Sequence, residues 1–139
     1  MTDDQLIAAG WKVRPFDGFI GSLGTIWSRR DDDRFAYALR TEPRHANALG
    51  VVHGGLLSTL ADHTMLVNTW QARGRKACLT VSLDVKFVAS ANPGELLVAR
   101  ARLDAQGNVL TFASATVSAM REDGSDAVVA MAAAVVRVR

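Results

Sequence analysis

The order of patterned segments predicts an α+β fold, a strongly curved antiparallel sheet wrapped around one long central helix. Three observations carry this. A single long run, residues 54–72, is apolar at helical spacing. Four strand-like runs follow it, joined by short turns. A hairpin pattern precedes it. A meander of strands with one apolar helix has one economical way to bury both, with the helix against one face of the sheet.

Taken in order, residues 3–10 read as a short N-terminal helix within an extension covering 1–14. Residues 18–29 and 34–41 alternate and carry Phe, Ile, Trp and Tyr, with Asp31-Asp32-Asp33 as the turn between two strands. Residues 43–53 form a loop, and the long helix ends near Arg73-Gly74, a stop signal. In 77–88, Leu79, Val81, Leu83, Val85 and Phe87 alternate with Thr80, Ser82, Asp84 and Lys86, so the odd positions are expected to face the core. Asn92-Pro93-Gly94, Gln106-Gly107-Asn108 and Glu122-Asp123-Gly124-Ser125 separate the runs 95–103, 109–120 and 127–138. No linker or repeat divides the chain, so residues 1–139 are expected to form one domain.

Composition narrows the function. Apolar residues make up 49% of the chain, too many for disorder. Net charge is +2 with the cations scattered, which gives no stripe for nucleic acid. The one cysteine, Cys78, forbids an internal disulfide and fits a reducing, cytoplasmic setting. The N-terminus has no basic and apolar leader pattern, and the longest apolar run, Ala127 to Val136, is too short to span a bilayer as a helix, so no membrane partner is expected. His45, His53 and His63 lack metal-ligand spacing.

The long helix starts against the rules. It opens on Gly54-Gly55 with no Ser, Thr, Asp or Asn directly before, although each glycine costs about 1 kcal/mol relative to Ala. Bare N–H groups at a helix start suit an oxyanion. Asp62 is the only carboxylate between Gly54 and Gln71, on the face expected to hold Ser58, Met65 and Thr69, opposite Leu56, Leu60 and Val67. An isolated carboxylate of this kind is a candidate general base. Gly54 and Asp62 lie about 12 Å apart along the axis at ~1.5 Å per residue. One subunit therefore cannot bring both to one carbonyl, whereas two helices packed antiparallel about a twofold axis can. This predicts a homodimer with shared sites.

The spacing Asn47-x-x-Gly50-x-x-His53-Gly54-Gly55, then Leu60-x-Asp62, resembles the signature of hotdog-fold acyl-CoA thioesterases of the phenylacetate-pathway (PaaI-like) type. Val81-Ser82-Leu83-Asp84, Phe87 and the Asn92-Pro93-Gly94 turn extend the likeness. The resemblance implies a hotdog dimer, usually paired into a homotetramer, that hydrolyses acyl-CoA without metal or bound cofactor, coenzyme A being part of the substrate. It implies Asp62 as general base or as nucleophile, and the Gly54 amide polarising the thioester carbonyl. It gives Asn47 a role orienting the carbonyl or the water, His53 a contact near the thioester or a brace in the loop, and Ser82 a position for the water beside Asp62. Asn47 and His53 could instead simply brace the loop, and Ser82 could be strand filler.

Gly55, Leu57, Met65, Leu66, Lys86 and Phe87 are the candidate substrate contacts. Lys86, Arg100, Arg102, Arg121 and Arg137 are candidates for the phosphates of CoA. His63 departs from the small residue usual after the Asp; about 100° round the helix from Asp62, it is expected to pack or to shape the acyl pocket. A hotdog-fold dehydratase and a non-catalytic acyl-CoA-binding protein are the rival readings. The first lacks its motifs here, and the second has no use for Asp62.

Overall fold

The computed structural model describes residues 1–139. A short helix α1 (Asp3–Ala8) is followed by β1 (Lys12–Val13), a one-turn helix α2 (Phe19–Ser22), and the hairpin β2 (Ile26–Asp31) and β3 (Arg34–Arg40). The long helix α3 (Gly54–Ala72) comes next, then β4 (Cys78–Phe87), β5 (Leu96–Gln106), β6 (Leu110–Met120) and β7 (Asp126–Val138). All strands pair antiparallel in one sheet of order β1-β2-β3-β5-β6-β7-β4. β4 follows the helix in sequence but pairs with the last strand, so it ends the sheet as an edge.

Each sheet face has its own apolar cluster. The inner face takes Tyr37, Leu39, Leu97, Val117 and Val136 against Leu57, Leu60, Ala61 and Met65 of α3. The outer face of β2, β3 and β5 is covered by Leu6 and Trp11, which pack on Trp27, Ala36, Ala38, Leu96 and Val98. Alternation in the strands makes this possible, since successive side chains leave opposite faces. The N-terminal helix holds through a capping box, in which Thr2 Oγ1 accepts from the Gln5 N–H and Gln5 Oε1 accepts from the Thr2 N–H.

Three details differ from the sequence-based expectation. Residues 18–23 do not extend β2; they turn into α2, where Gly18 has φ +77° and a Cβ on Gly21 would lie 1.8 Å from Phe16 O. The second concerns α3, where no residue from Leu56 to Trp70 is fully exposed. Met65 and Thr69 were expected beside Asp62; both are instead completely buried, and Val67 is only half-buried. The buried Asn68 pairs with backbone: its Oδ1 accepts from the Phe35 N–H and its Nδ2 donates to Phe35 O, both at 2.9 Å. Phe35 lies before the β3–β5 ladder starts at Tyr37, so Asn68 satisfies groups the sheet leaves over.

The third is the alternation of β4. Thr80 pairs with Val136 but Ser82 pairs with Val135, leaving Val81 as the extra residue of a β-bulge. Val136, Ala134, Ala132 and Ala130 are the buried inner residues of β7. Thr80 therefore faces the helix, and beyond the bulge Leu83, Val85 and Phe87, paired with Ala134, Ala132 and Ala130, do so. Leu79 and Val81, expected in the core, are 73% and 62% exposed.

Candidate active site

Residues 46–53 form a braced loop that delivers the start of α3. Asn47 Oδ1 accepts from the N–H groups of Leu49 and Val51 at 2.9 and 3.3 Å, and the Asn47 N–H donates to Val51 O at 2.7 Å. The Val52 N–H donates to Ala91 O and the His53 N–H to His45 O, both at 2.8 Å, which pins the loop to its neighbours. With Oδ1 committed, the amide Nδ2 is the part of Asn47 left for another partner. His45 is buried, its Nδ1 accepting from the Glu42 N–H and its Nε2 donating to Leu23 O.

The helix start does have a cap, and it is His53. Its Nδ1 accepts from the Gly55 N–H at 2.8 Å while its own backbone stays extended. A Cβ on Gly55 would sit 2.8 Å from that Nδ1, so glycine there makes room for the capping ring. The Gly55 amide is thus spoken for, whereas the Gly54 N–H has no acceptor within the chain. A Cβ on Gly54 would lie 3.0 Å from Phe87 Cζ. The two glycines that look wrong as helix formers fit two rings against the first turn.

Asp62 lies one face away from the core, under the edge strand. Thr80 Oγ1 donates to its Oδ1 at 2.6 Å, and Oδ2 has no partner in the chain. Ser82 does not take the position expected of it: the bulge at Val81 puts it on the sheet face away from α3, and the hydroxyl beside Asp62 is that of Thr80. An unbroken alternation assigns Thr80 to the outside; the bulge brings it to Asp62.

Of the other candidate contacts, Leu57 and Met65 belong to the core, 3% and 0% exposed, and present no surface to a ligand. Leu66 is half-buried on the open side of α3. Phe87 is 56% exposed over Gly54, and Lys86 is exposed on the outer face, paired with Asp84 at 3.0 Å. Arg100, Arg102 and Arg121 pair with Asp31, Asp104 and Glu95. Arg137 alone of the five has no carboxylate partner, and with Arg139 it borders a surface cavity completed by Ala77, Cys78 and Leu79.

His63 stands one residue from Asp62 but on a different face. Its ring meets Phe16 and Tyr37 edge-on, at 4.8 and 4.7 Å between centroids. Burial lowers its pKa from 6.5 to about 4, so the imidazole is neutral at ordinary pH. No three His, Cys, Asp or Glu side chains converge as a metal site. No helix is long and apolar enough to cross a membrane.

A curved antiparallel sheet wrapped around one long helix defines the hotdog class of fold. A hotdog-fold thioesterase of Campylobacter jejuni, described as hexameric, superposes with a TM-score of 0.69 over 73% of this chain and 80% of that one, at 20% identity. Residues 49–128 match the model of the thioesterase superfamily, and the chain belongs to that family. Among relatives, a protein of Pseudomonas aeruginosa that bears an esterase name is 37% identical over 67% of this chain and 71% of its own. Mouse acyl-coenzyme A thioesterase 13 is 30% identical over 79% of this chain and 77% of its own. The protein is a thioester hydrolase.

Proposed function

We propose that the protein hydrolyses acyl-CoA thioesters of the PaaI-like kind, with Asp62 activating water and the Gly54 amide receiving the carbonyl oxygen. The observation that carries this is the pairing of two unspent groups. Asp62 keeps one carboxylate oxygen free while Thr80 fixes the other, and the Gly54 N–H points out of the first turn of the same helix without an acceptor. A carboxylate so held can take a proton from water as that water attacks the thioester carbon, and the developing oxyanion needs a preorganised donor. The amide Nδ2 of Asn47, left over by the loop, is a second donor on the Gly54 side. Nothing in this scheme calls for a metal or a bound cofactor.

The two groups sit about 12 Å apart along α3 at ~1.5 Å per residue, so each site joins Asp62 of one subunit to Gly54 and Asn47 of another. The edge strand β4 supports this assembly. It carries Leu79 and Val81, both largely exposed, and has a neighbour on one side only. A second β4 laid antiparallel along it would continue the sheet and bring two α3 helices together. We place the dimer, in turn paired into a tetramer, in a reducing cytoplasm. Arg137 and Arg139, which border one surface cavity, are the cations assigned to the phosphates of CoA.

The test is a hydrolysis screen over CoA thioesters, aryl and aliphatic, with release of free thiol as the readout. Turnover by the wild type that Asp62→Asn abolishes supports the reading; turnover unaffected by that change refutes it.

A further inference from the structure

The sequence scatters its cations, and the fold gathers four of them. Lys12, Arg14, Arg29 and Arg30 border one surface cavity of about 530 Å³, together with Ser28 and Phe35, and no carboxylate borders it. In a chain whose net charge is +2, that is a local excess with nothing inside the cavity to balance it. Strand pairing explains the gathering. Lys12 lies opposite Ser28, Ser28 opposite Tyr37, and Arg30 opposite Phe35. The Arg14 N–H donates to Ile26 O, which carries the ladder one residue past β1. Side chains two apart share a face, so Lys12, Arg14, Ser28 and Arg30 stand with Tyr37 on the face that holds α3. They do so on the first two strands of the sheet, at the edge opposite β4.

The arginines are held in an unusual way. Arg29, Arg44, Arg102 and Arg121 spend Nε on carboxylates. Arg14 and Arg30 spend it on neutral oxygens: Arg14 Nε donates to Ser28 Oγ and Arg30 Nε to Asp32 O, both at 3.0 Å. Each guanidinium is thereby aimed without being neutralised, and its terminal nitrogens have no partner in the chain. The Arg30 guanidinium is further steadied over the Phe35 ring, 5.8 Å from its centroid. Ser28 is buried, and with Oγ accepting from Arg14 its own hydrogen is left for another acceptor. Lys12, like Arg14 and Arg30, forms no ion pair.

We propose that this cavity is a second binding site, apart from the one at Asp62, for an anion carrying a chain of two or more phosphate groups. Two aimed guanidinium forks suit pairs of phosphate oxygens, Lys12 adds a point charge, and three cations without counter-ions match the charge of such a chain. Asp62 is turned to Thr80 on β4, at the other end of the sheet order, so the two sites do not share residues. The inference does not depend on the hydrolase reading. An inorganic polyphosphate and a nucleoside polyphosphate present the same group, and the experiment has an arm for each.

The experiment is titration calorimetry of the full chain with inorganic triphosphate and with ATP, in about 0.15 M NaCl, where loose surface attraction is screened. The wild type should bind triphosphate saturably with Kd below about 0.5 mM. Arg14→Gln and Arg30→Gln should each weaken it about tenfold or more, the scale of one charge-assisted hydrogen bond. Arg14→Lys and Arg30→Lys keep the charge and lose the fork; they should recover only part of the affinity, and they serve should a glutamine variant fail to fold. Arg137→Gln with Arg139→Gln, at the other cavity, should leave the affinity within about twofold of wild type. ATP binding about tenfold tighter than triphosphate makes a nucleotide the ligand, and equal affinities make it the phosphate chain; both uphold the site. No saturable binding by the wild type, undiminished binding in the Arg14 and Arg30 variants, or loss in the Arg137 and Arg139 pair instead overturns the proposal.

Discussion

The Thr80 hydroxyl donates to Asp62 Oδ1 at 2.6 Å, tying the edge strand β4 to the middle of α3. That bond orients the carboxylate and leaves its second oxygen available. Asp62→Asn should therefore lower kcat by about 10²–10⁴-fold, the usual contribution of a general base. Thr80→Val, which keeps the shape and removes the donor, should cost roughly tenfold in kcat with little change in KM. Unchanged kcat in the valine variant would show that the bond is structural only.

Gly54 and Phe87 form a second testable pair. A Cβ at Gly54 would come 3.0 Å from Phe87 Cζ, so Gly54→Ala pushes the ring aside. If that contact is the whole reason for the glycine, the double variant with Phe87→Leu regains wild-type kcat/KM. If substrate also approaches the amide, the double variant regains stability and stays slow. Thermal midpoints and kinetics on both proteins tell the two apart.

His53 caps α3 through Nδ1, and His53→Ala should lower unfolding stability by about 1 kcal/mol, typical of a lost N-cap. Urea unfolding followed by far-UV circular dichroism reads this directly, and an unchanged midpoint would contradict the capping role.

The burial of His63 gives stability a pH dependence of definite sign. An unfolded chain takes up a proton there below about pH 6.5, while the folded one resists until about 4. Across that window the unfolded state binds more protons, so stability from this group is full above the upper value and falls as pH drops toward the lower, by on the order of 2–3 kcal/mol. Urea midpoints from pH 7.5 to 4.5 should fall less in His63→Leu than in wild type. Parallel declines would mean that other groups carry the acid sensitivity.

Subunit sharing is open to a mixing experiment. Asn47→Ala and Asp62→Ala homodimers should both be weak, yet co-refolding equal amounts should restore about a quarter of wild-type activity, because half the dimers are mixed and each has one intact site. Verified mixed dimers without recovered activity would place both residues in one subunit's site.

Much of this was legible in the sequence. The bounds of α3 and the four strands after it followed from periodicity and turn chemistry, and Asp62 stood out as a lone carboxylate in an uncharged helix. The misreadings share a physical cause. Phe19, Ile20 and Leu23 are apolar and fit a strand, but Gly18 and Gly21 permit a tight turn that no alternation count registers. Helical angle alone puts Met65 and Thr69 beside Asp62, whereas a sheet that curls around a helix buries more than half of its circumference. The His53 cap follows no sequence rule, because imidazole is seldom counted among capping groups. The unpaired His63 nitrogen is a property of packing in three dimensions, and no spacing rule encodes it.

The bulge at Val81 acts as a phase shifter. A strand counts in twos, and one supernumerary residue divides β4 into halves that run out of step. The half before it offers the Thr80 hydroxyl to α3 and Leu79 to the outside; the half after it turns its aliphatic and aromatic side chains to α3 and the Ser82 hydroxyl to the outside. Deleting Val81 would leave the composition of the strand almost untouched, yet the two halves could no longer both face correctly. Either Thr80 would swing away from Asp62, or Leu83, Val85 and Phe87 would turn together to the sheet face away from α3. A point substitution anywhere in β4 changes one contact, but the loss of this residue would force a choice between the Thr80–Asp62 bond and the facing of the rest of the edge.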